Sequence, residues 1–280
     1  MDKKAIEAAV MASFAGELEA LKPGNVSAYA NGHNMTANDF LVSAEVSVPL
    51  LCQTNACLGL RVLESVKATH EAVACNTNLG MLLLFAPIVM AAESDFDSVD
   101  GLRRNLETTL SSLAQSDAEQ VYQAIRIANP GGLGKVKNQD VHNNPDCSLI
   151  SAMVLARQRD SIALQYTNNF NEIFNLGVAT IKYFDKRWNS VKWSTVSCYL
   201  TYMSSITDSH IERKFGCQIA ERIKIKSGVI TKKFNSSSDP ESGIELLQDF
   251  DKELKAKNYN PGTNADLTAA SLLVYNLACL

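Results

Sequence analysis

The chain has 280 residues, 46% apolar and 20% charged, with a formal net charge of −4. That length buries a large core, and the composition is that of an ordinary globular protein. An acidic balance with no Lys/Arg block argues against non-specific nucleic-acid binding.

The first segment carries Asp2, Glu7, Glu17 and Glu19 and lacks a small-residue cleavage site after an apolar core. It therefore does not read as a signal peptide. Seven cysteines are scattered without a CxxC pair, so they read as reduced core residues of a cytosolic protein. In chain order the apolar spacing predicts helices over 3–21, 38–70, 78–93, 98–115, 118–128, 145–166, 168–187, 193–206, 209–226, 240–257 and 264–278. The expected fold is all-α: a single bundle of about ten or eleven helices over 1–280. Its centre is the longest apolar run, Leu79 to Ala92, which at 14 residues is too short to span a bilayer. A lobe hinge is expected near 135–144. Pro49 and Pro87 each lie inside a helical pattern and are expected to kink it.

Several polar residues fall inside apolar stripes. Glu17 shares the face of Ile6, Val10, Phe14, Leu18 and Leu21. Asp160 is centred among Leu149, Met153, Ala156 and Leu164, and Asp266 shares a face with Ala270, Leu273 and Leu277. Asn55 falls among Val48, Leu51, Leu58 and Val62. An unpaired buried carboxylate is costly, so it must be paired, protonated or bound to a cation. Each carboxylate alone also fits a cap or a salt bridge, and Thr263-x-x-Asp266 has capping-box spacing. Together the three point to a polar cavity in a helical bundle.

"CNTNLG", Cys75 to Gly80, opens the most apolar helix and suits an anion at its free N–H groups, or serves as a plain N-cap. "HIERKFGCQIAER" aligns His210, Lys214 and Gln218, with Arg213 nearby, and reads as a solvated charged face that would otherwise meet an anion. "NPGGLG", Asn129 to Gly134, follows a helix and is not succeeded by GK[ST], so it is neither a P-loop nor a dinucleotide fingerprint. The four histidines show no metal-ligand spacing.

The order of these pieces resembles one family. Glu17 precedes "KPGNVS" (Lys22–Ser27), then Asp39-Phe40, "NTNLG" (Asn76–Gly80), "AIRIANPGGLG" with Asp140-Val141, Arg159-Asp160, and "PGTNADL" (Pro261–Leu267). This is similar to the triphosphoribosyl-dephospho-coenzyme A synthase family over nearly the whole chain. The resemblance implies an all-α cytosolic transferase that moves the triphosphoribosyl group of ATP to 3′-dephospho-coenzyme A and frees adenine. It implies Mg²⁺ as cofactor and small nucleotide or coenzyme substrates as partners, with no nucleic acid and no membrane; a homodimer is admitted. On that basis Glu17 and Asp160 are the candidate catalytic residues, and Glu17, Asp160 and Asp266 the candidate metal ligands. Lys22 is the candidate phosphate clamp. Gly24, Asn25, Ser27, Asn76, Thr77, Asn78, Gly80, Arg159 and Lys214 complete the candidate nucleotide site. "NTNLG" stands where the citrate-lyase branch has Asn-Thr-His-Lys-Gly, so the chain resembles a divergent methylotroph or archaeal branch. Two alternatives follow: the same fold acting in one-carbon coenzyme biosynthesis, or a helical nucleotide-binding protein without catalysis.

Overall fold

A computed structural model describes residues 1–280. The chain is helical throughout, with only two isolated β-bridges, Ser27 to Ala30 and Gly32 to Met35. The first half holds α1 (Lys3–Glu19), α2 (Ala37–Leu51), α3 (Leu58–Val73), α4 (Leu79–Ala92), α5 (Val99–Ser111) and α6 (Gln115–Ala128). The second holds α7 (Leu149–Ala156), α8 (Ser161–Thr167), α9 (Val178–Trp188), α10 (Val191–Ser205), α11 (Ser209–Phe215), α12 (Cys217–Ser236), α13 (Ile244–Ala256) and α14 (Gly262–Ala278). A π-helical turn, Ile173–Gly177, leads into α9, and a 3₁₀ turn, Pro240–Gly243, leads into α13.

The all-α expectation holds, with fourteen helices instead of ten or eleven. The extra ones arise where a long apolar pattern breaks. The pattern 38–70 stops at Leu51, two residues after Pro49, and resumes at Leu58. Asn55 stands between them, exposed and left-handed at φ 65°, so it does not face a core. The pattern 145–166 breaks where Asp160 turns its carboxylate onto the Ile162 and Ala163 N–H groups, at 2.9 and 3.1 Å, and caps α8. Asp160 therefore lies off the helical face predicted for it. The pattern 209–226 breaks at Gly216, whose φ of 87° suits glycine. The Thr36–Asp39 capping box forms, whereas α14 begins at Gly262 with no side-chain cap. Asp266 thus caps nothing.

α4 is the centre, as expected: every residue but Gly80 and Met90 is buried, and the helix runs unbroken through Pro87. It touches α1, α2, α3, α5, α6, α8 and α14. A fully buried Leu or Phe there contributes roughly 2 kcal/mol by leaving water. A second apolar core joins α10, α11, α12 and α13 around Tyr199, Leu200, Phe234 and Phe250. α10 and α14 send side chains into both cores. All seven cysteines are free thiols, but only Cys52 and Cys198 are buried, so the core reading fits those two alone. No helix is long and apolar enough to cross a membrane.

Candidate active site

A cavity of about 660 Å³ opens between the start of α4, α6, α7, α8, α11, the start of α14 and the loops 33–35 and 129–141. That volume is in the range of a small-ligand pocket. Its lining divides into three parts. Leu83, Val121, Ile125, Leu149, Met153 and Ile162 form an apolar wall. Arg159, Arg213 and Lys214 form a cationic edge beside "NPGGLG", and Asp140, Asp160 and Asp266 supply carboxylates.

Asp266 is the carboxylate left without work. Its side chain makes no hydrogen bond and no ion pair within the protein, and it opens onto the cavity one turn into α14. Gly80, in the first turn of α4, lies against it: a β-carbon there would overlap Asp266 Oδ2. Burial, reinforced by Glu17, Asp208 and Asp160, holds the Asp266 carboxyl well above the usual carboxylate range; Arg213 pulls the other way. A carboxyl that favours its neutral form in a cleft is a recognisable functional feature.

The other acidic groups are committed. Asp160 caps α8 with Oδ1, and its Oδ2 accepts from Arg213 Nη1 at 2.7 Å. Asp140 accepts the Val136 and His142 N–H groups at 2.7 and 2.9 Å and His142 Nδ1 at 2.6 Å. These hydrogen bonds hold its carboxyl down to about 2. With Tyr122 donating to Gln139 O and Arg126 to Val141 O, they tie the 135–144 segment to α6. Asp208, buried at the start of α11, accepts from Ile211 N and Asn264 N, both at 2.9 Å. Burial still raises its carboxyl to about 6. That bond, with the 3.0 Å contact of Ser209 Oγ to Thr263 Oγ1, staples the start of α11 to the start of α14.

The staple sets His210, Arg213 and Lys214 toward the cavity; the solvated-face reading fails for the half-buried His210 and Arg213, whereas Lys214, at the cavity's rim, and Gln218 are exposed and keep it. Gly131 and Gly132 lie directly on this edge. A β-carbon at Gly131 would come within 2.7 Å of Lys214 Cε, and Gly132 has a φ of 80°.

Of the candidate site residues, Asn76, Gly80, Arg159, Asp160, Lys214 and Asp266 line the cavity. Glu17, Lys22, Gly24, Asn25, Ser27, Thr77 and Asn78 do not. Lys22 is fully buried; its Nζ donates to Glu17 O at 2.6 Å and Val26 O at 2.8 Å and pairs with the Glu17 carboxylate at 3.2 Å. Two backbone carbonyls and the Glu17 charge occupy this sealed ammonium, so it is not placed as a phosphate clamp. Glu17 is sealed against it: burial pushes the Glu17 carboxyl up and the Lys22 ammonium down, and each partner opposes the other's shift. Gly24 N donates to Asp251 Oδ1, Asn25 Nδ2 to Asn260 Oδ1, and Tyr199 OH to Pro23 O. Ser27 Oγ closes the local turn onto Tyr29 N. The "KPGNVS" loop is therefore backing, and it aims His33, Asn34 and Met35 at the cavity.

Thr77 bonds Ser43 Oγ, and Asn78 bonds Ser47 Oγ and Thr69 Oγ1, fixing α4 to α2 and α3 on the side away from the cavity. The candidate metal triad of Glu17, Asp160 and Asp266 is not assembled. No three His, Cys, Asp or Glu side chains stand close enough together to hold a metal ion. Sequence reasoning did not single out Asp208 or His33. For Asp208 the available signal was an N-cap residue immediately before the 209–226 pattern.

Residues 3–280 match the protein family described as CitG, ATP:dephospho-CoA triphosphoribosyl transferase. No curated protein matches the chain. A crystal structure from Archaeoglobus fulgidus, provisionally named a triphosphoribosyl-dephospho-coA synthase, superposes with a TM-score of 0.67 at 24% identity. The match covers 85% of this chain and 98% of that one and speaks for a shared fold.

Proposed function

Since the chain belongs to the ATP:dephospho-CoA triphosphoribosyl transferase family, we propose that its cavity holds ATP with the ribose C1′ facing Asp266. The family's reaction breaks the bond from C1′ to adenine and joins C1′ to a hydroxyl of dephospho-coenzyme A. Bond breaking builds positive charge at C1′ and negative charge on the leaving base. A neutral carboxyl answers both: it gives its proton to adenine and becomes the counter-charge of the sugar. The single observation that carries this reading is the unpartnered Asp266 carboxyl seated on Gly80.

The triphosphate lies along Arg159, Arg213 and Lys214, where the glycines of "NPGGLG" let the chain approach closely. Arg213 spends only Nη1 within the protein, on Asp160, which leaves Nη2 to meet it. Mg²⁺ takes most of its ligands from phosphate and water and needs only one or two protein carboxylates. Asp160, at the cationic edge, is the residue that would hold it, by exchanging Arg213 for the ion as Arg213 turns to the triphosphate; Glu17 would not. The bound ion would neutralise triphosphate charge.

Incubation with ATP, Mg²⁺ and dephospho-coenzyme A is expected to release free adenine, read by chromatography. Asp266→Asn is expected to lower kcat by about 10²- to 10⁴-fold, the usual worth of a general acid. Its melting temperature should hold or rise, since a carboxyl that resists ionising is removed. An Asn variant turning over at nearly the parent rate would sink the assignment. Arg213→Ala is expected to raise the KM for ATP and to flatten its salt dependence; an unchanged KM would move the triphosphate elsewhere. Adenine formed only with a different hydroxyl acceptor would keep the donor half and change the acceptor.

A further inference from the structure

The transfer needs a second proton carrier, because the acceptor hydroxyl must lose its proton as its oxygen bonds to C1′. Few cavity groups are free to take it. Asp160 and Asp140 have both oxygens engaged, and Asp266 is assigned to the departing adenine. His33 spends Nε2 on Gly24 O at 2.9 Å.

His210 is different. Neither ring nitrogen has a hydrogen-bond partner; Nε2 is sealed from solvent, which leaves Nδ1 as the nitrogen a ligand reaches. The ring lies over the first turn of α14. A β-carbon on Gly262 would come within 2.8 Å of His210 Nδ1, so the imidazole occupies the place a side chain would take there. Gly262 and Asp266 are four residues apart on α14 and share one face, at a spacing of roughly 6 Å. The imidazole and the carboxyl are therefore neighbours along that face, both turned to the cavity.

We propose that His210 is the base that receives the acceptor's hydroxyl proton, one helical turn from the carboxyl that serves the leaving group. This rests on the reading of Asp266 given above. The step balances. The C1′–N bond breaks with its electron pair going to adenine, which takes a proton from Asp266. The hydroxyl oxygen bonds to C1′, and its proton passes to His210 Nδ1, with Nε2 carrying the ring's other proton. His210 then returns one proton, by way of solvent, to Asp266.

The surroundings couple the basicity of the ring to the charge bound beside it. Burial, then Lys214, Arg213 and His33, hold the imidazole down to about 3. Of the nearby acidic groups, Asp208 meets the His210 backbone at the cap of α11, Asp160 is spent on Arg213, and Asp266 on α14 is neutral in this reading. A triphosphate on Arg213 and Lys214 cancels the part of the downward shift those two cations cause and so raises the ring's basicity, while the larger part, due to burial, stays.

The test is His210→Ala in the full chain, assayed with ATP, Mg²⁺ and dephospho-coenzyme A. We expect kcat to fall by about 10²- to 10⁴-fold with the KM for ATP within about threefold of the parent. Added imidazole should restore turnover, and the rescued rate should rise with pH through imidazole's own titration. A variant with nearly parental kcat would overturn the proposal. So would a loss that imidazole does not restore while ATP affinity is kept, since that assigns the ring to structure. If the alanine variant does not fold, His210→Gln keeps a polar side chain of similar size but cannot accept the proton; it should lose kcat to the same degree, and parental activity overturns the proposal. A parent protein that releases no adenine fails the reading of the cavity itself, whereas an active parent with an active His210 variant fails this inference alone.

Discussion

Gly80→Ala should abolish most turnover in a chain that still folds. The added methyl would overlap Asp266 Oδ2 and come within 2.9 Å of Oδ1. Neither group yields easily. Gly80 is in the first turn of the central helix, and Asp266 is a short side chain on a helix whose neighbours are buried. The carboxyl must turn off its position, and a misplacement of about 1 Å is worth about 10²-fold in rate. Stability should change less. Alanine gains up to about 1 kcal/mol over glycine in a helix, while overpacking costs about 1–3 kcal/mol. Steady-state kinetics and a melting curve on one preparation decide it: parental kcat would mean that Asp266 need not hold its place. Gly228→Ala is the matched comparison. A β-carbon at Gly228 meets nothing within 4 Å, on a helix away from the cavity, so that change should stabilise slightly and leave the rate alone.

The largest stability effect is expected at Lys22. Lys22→Met removes three interactions of a fully buried ammonium and leaves Glu17 without its partner. Breaking a buried ion pair from one side costs about 3–5 kcal/mol. The double variant Glu17→Leu/Lys22→Met should be less destabilised than the two single variants added together, because no uncompensated charge is left. The pH dependence has a definite sign. Burial already raises the Glu17 carboxyl above its ordinary 4.5, and loss of Lys22 raises it further. The folded Lys22→Met chain then binds a proton more tightly than the unfolded chain does. Its stability is greatest below the unfolded value and falls as pH rises through the folded one. Urea denaturation at pH 5 and pH 8 should therefore show the deficit growing with pH. A deficit that shrinks with pH, or a loss below about 1 kcal/mol, would show that the pair does not hold the loop.

The helical class and the central helix were legible because a run of apolar residues without polar interruption has few other places to go. Helix breaks were less so. Asp160 sits in a pattern that continues on both sides of it, and only the choice of its carboxylate to bond Ile162 and Ala163 N–H ends the helix there. The motifs were found but their sides were not. A polar loop that binds a ligand and a polar loop that backs a cavity use the same residue types, since both must satisfy buried donors and acceptors. Lys22, Asn25, Thr77 and Asn78 are of the second kind. Asp266 is the reverse case: it is a site candidate from the sequence although capping-box spacing also offers it an ordinary job, and a helix start at Gly262 leaves it without that job. His210 and Arg213 were hidden because their orientation depends on Asp208 reaching Asn264, far along the chain.

The central position of α4 also governs how the protein fails. Its first turn carries Gly80, and the rest of it is an apolar surface that no other helix of the chain matches. A partial opening that frees α4 releases Asp266 from its seat and, in the same event, shows a long sticky segment to neighbouring molecules. Heat inactivation and aggregation are then one process. Loss of activity on warming should be irreversible from its onset, with no dormant, still-dissolved form to recover on cooling.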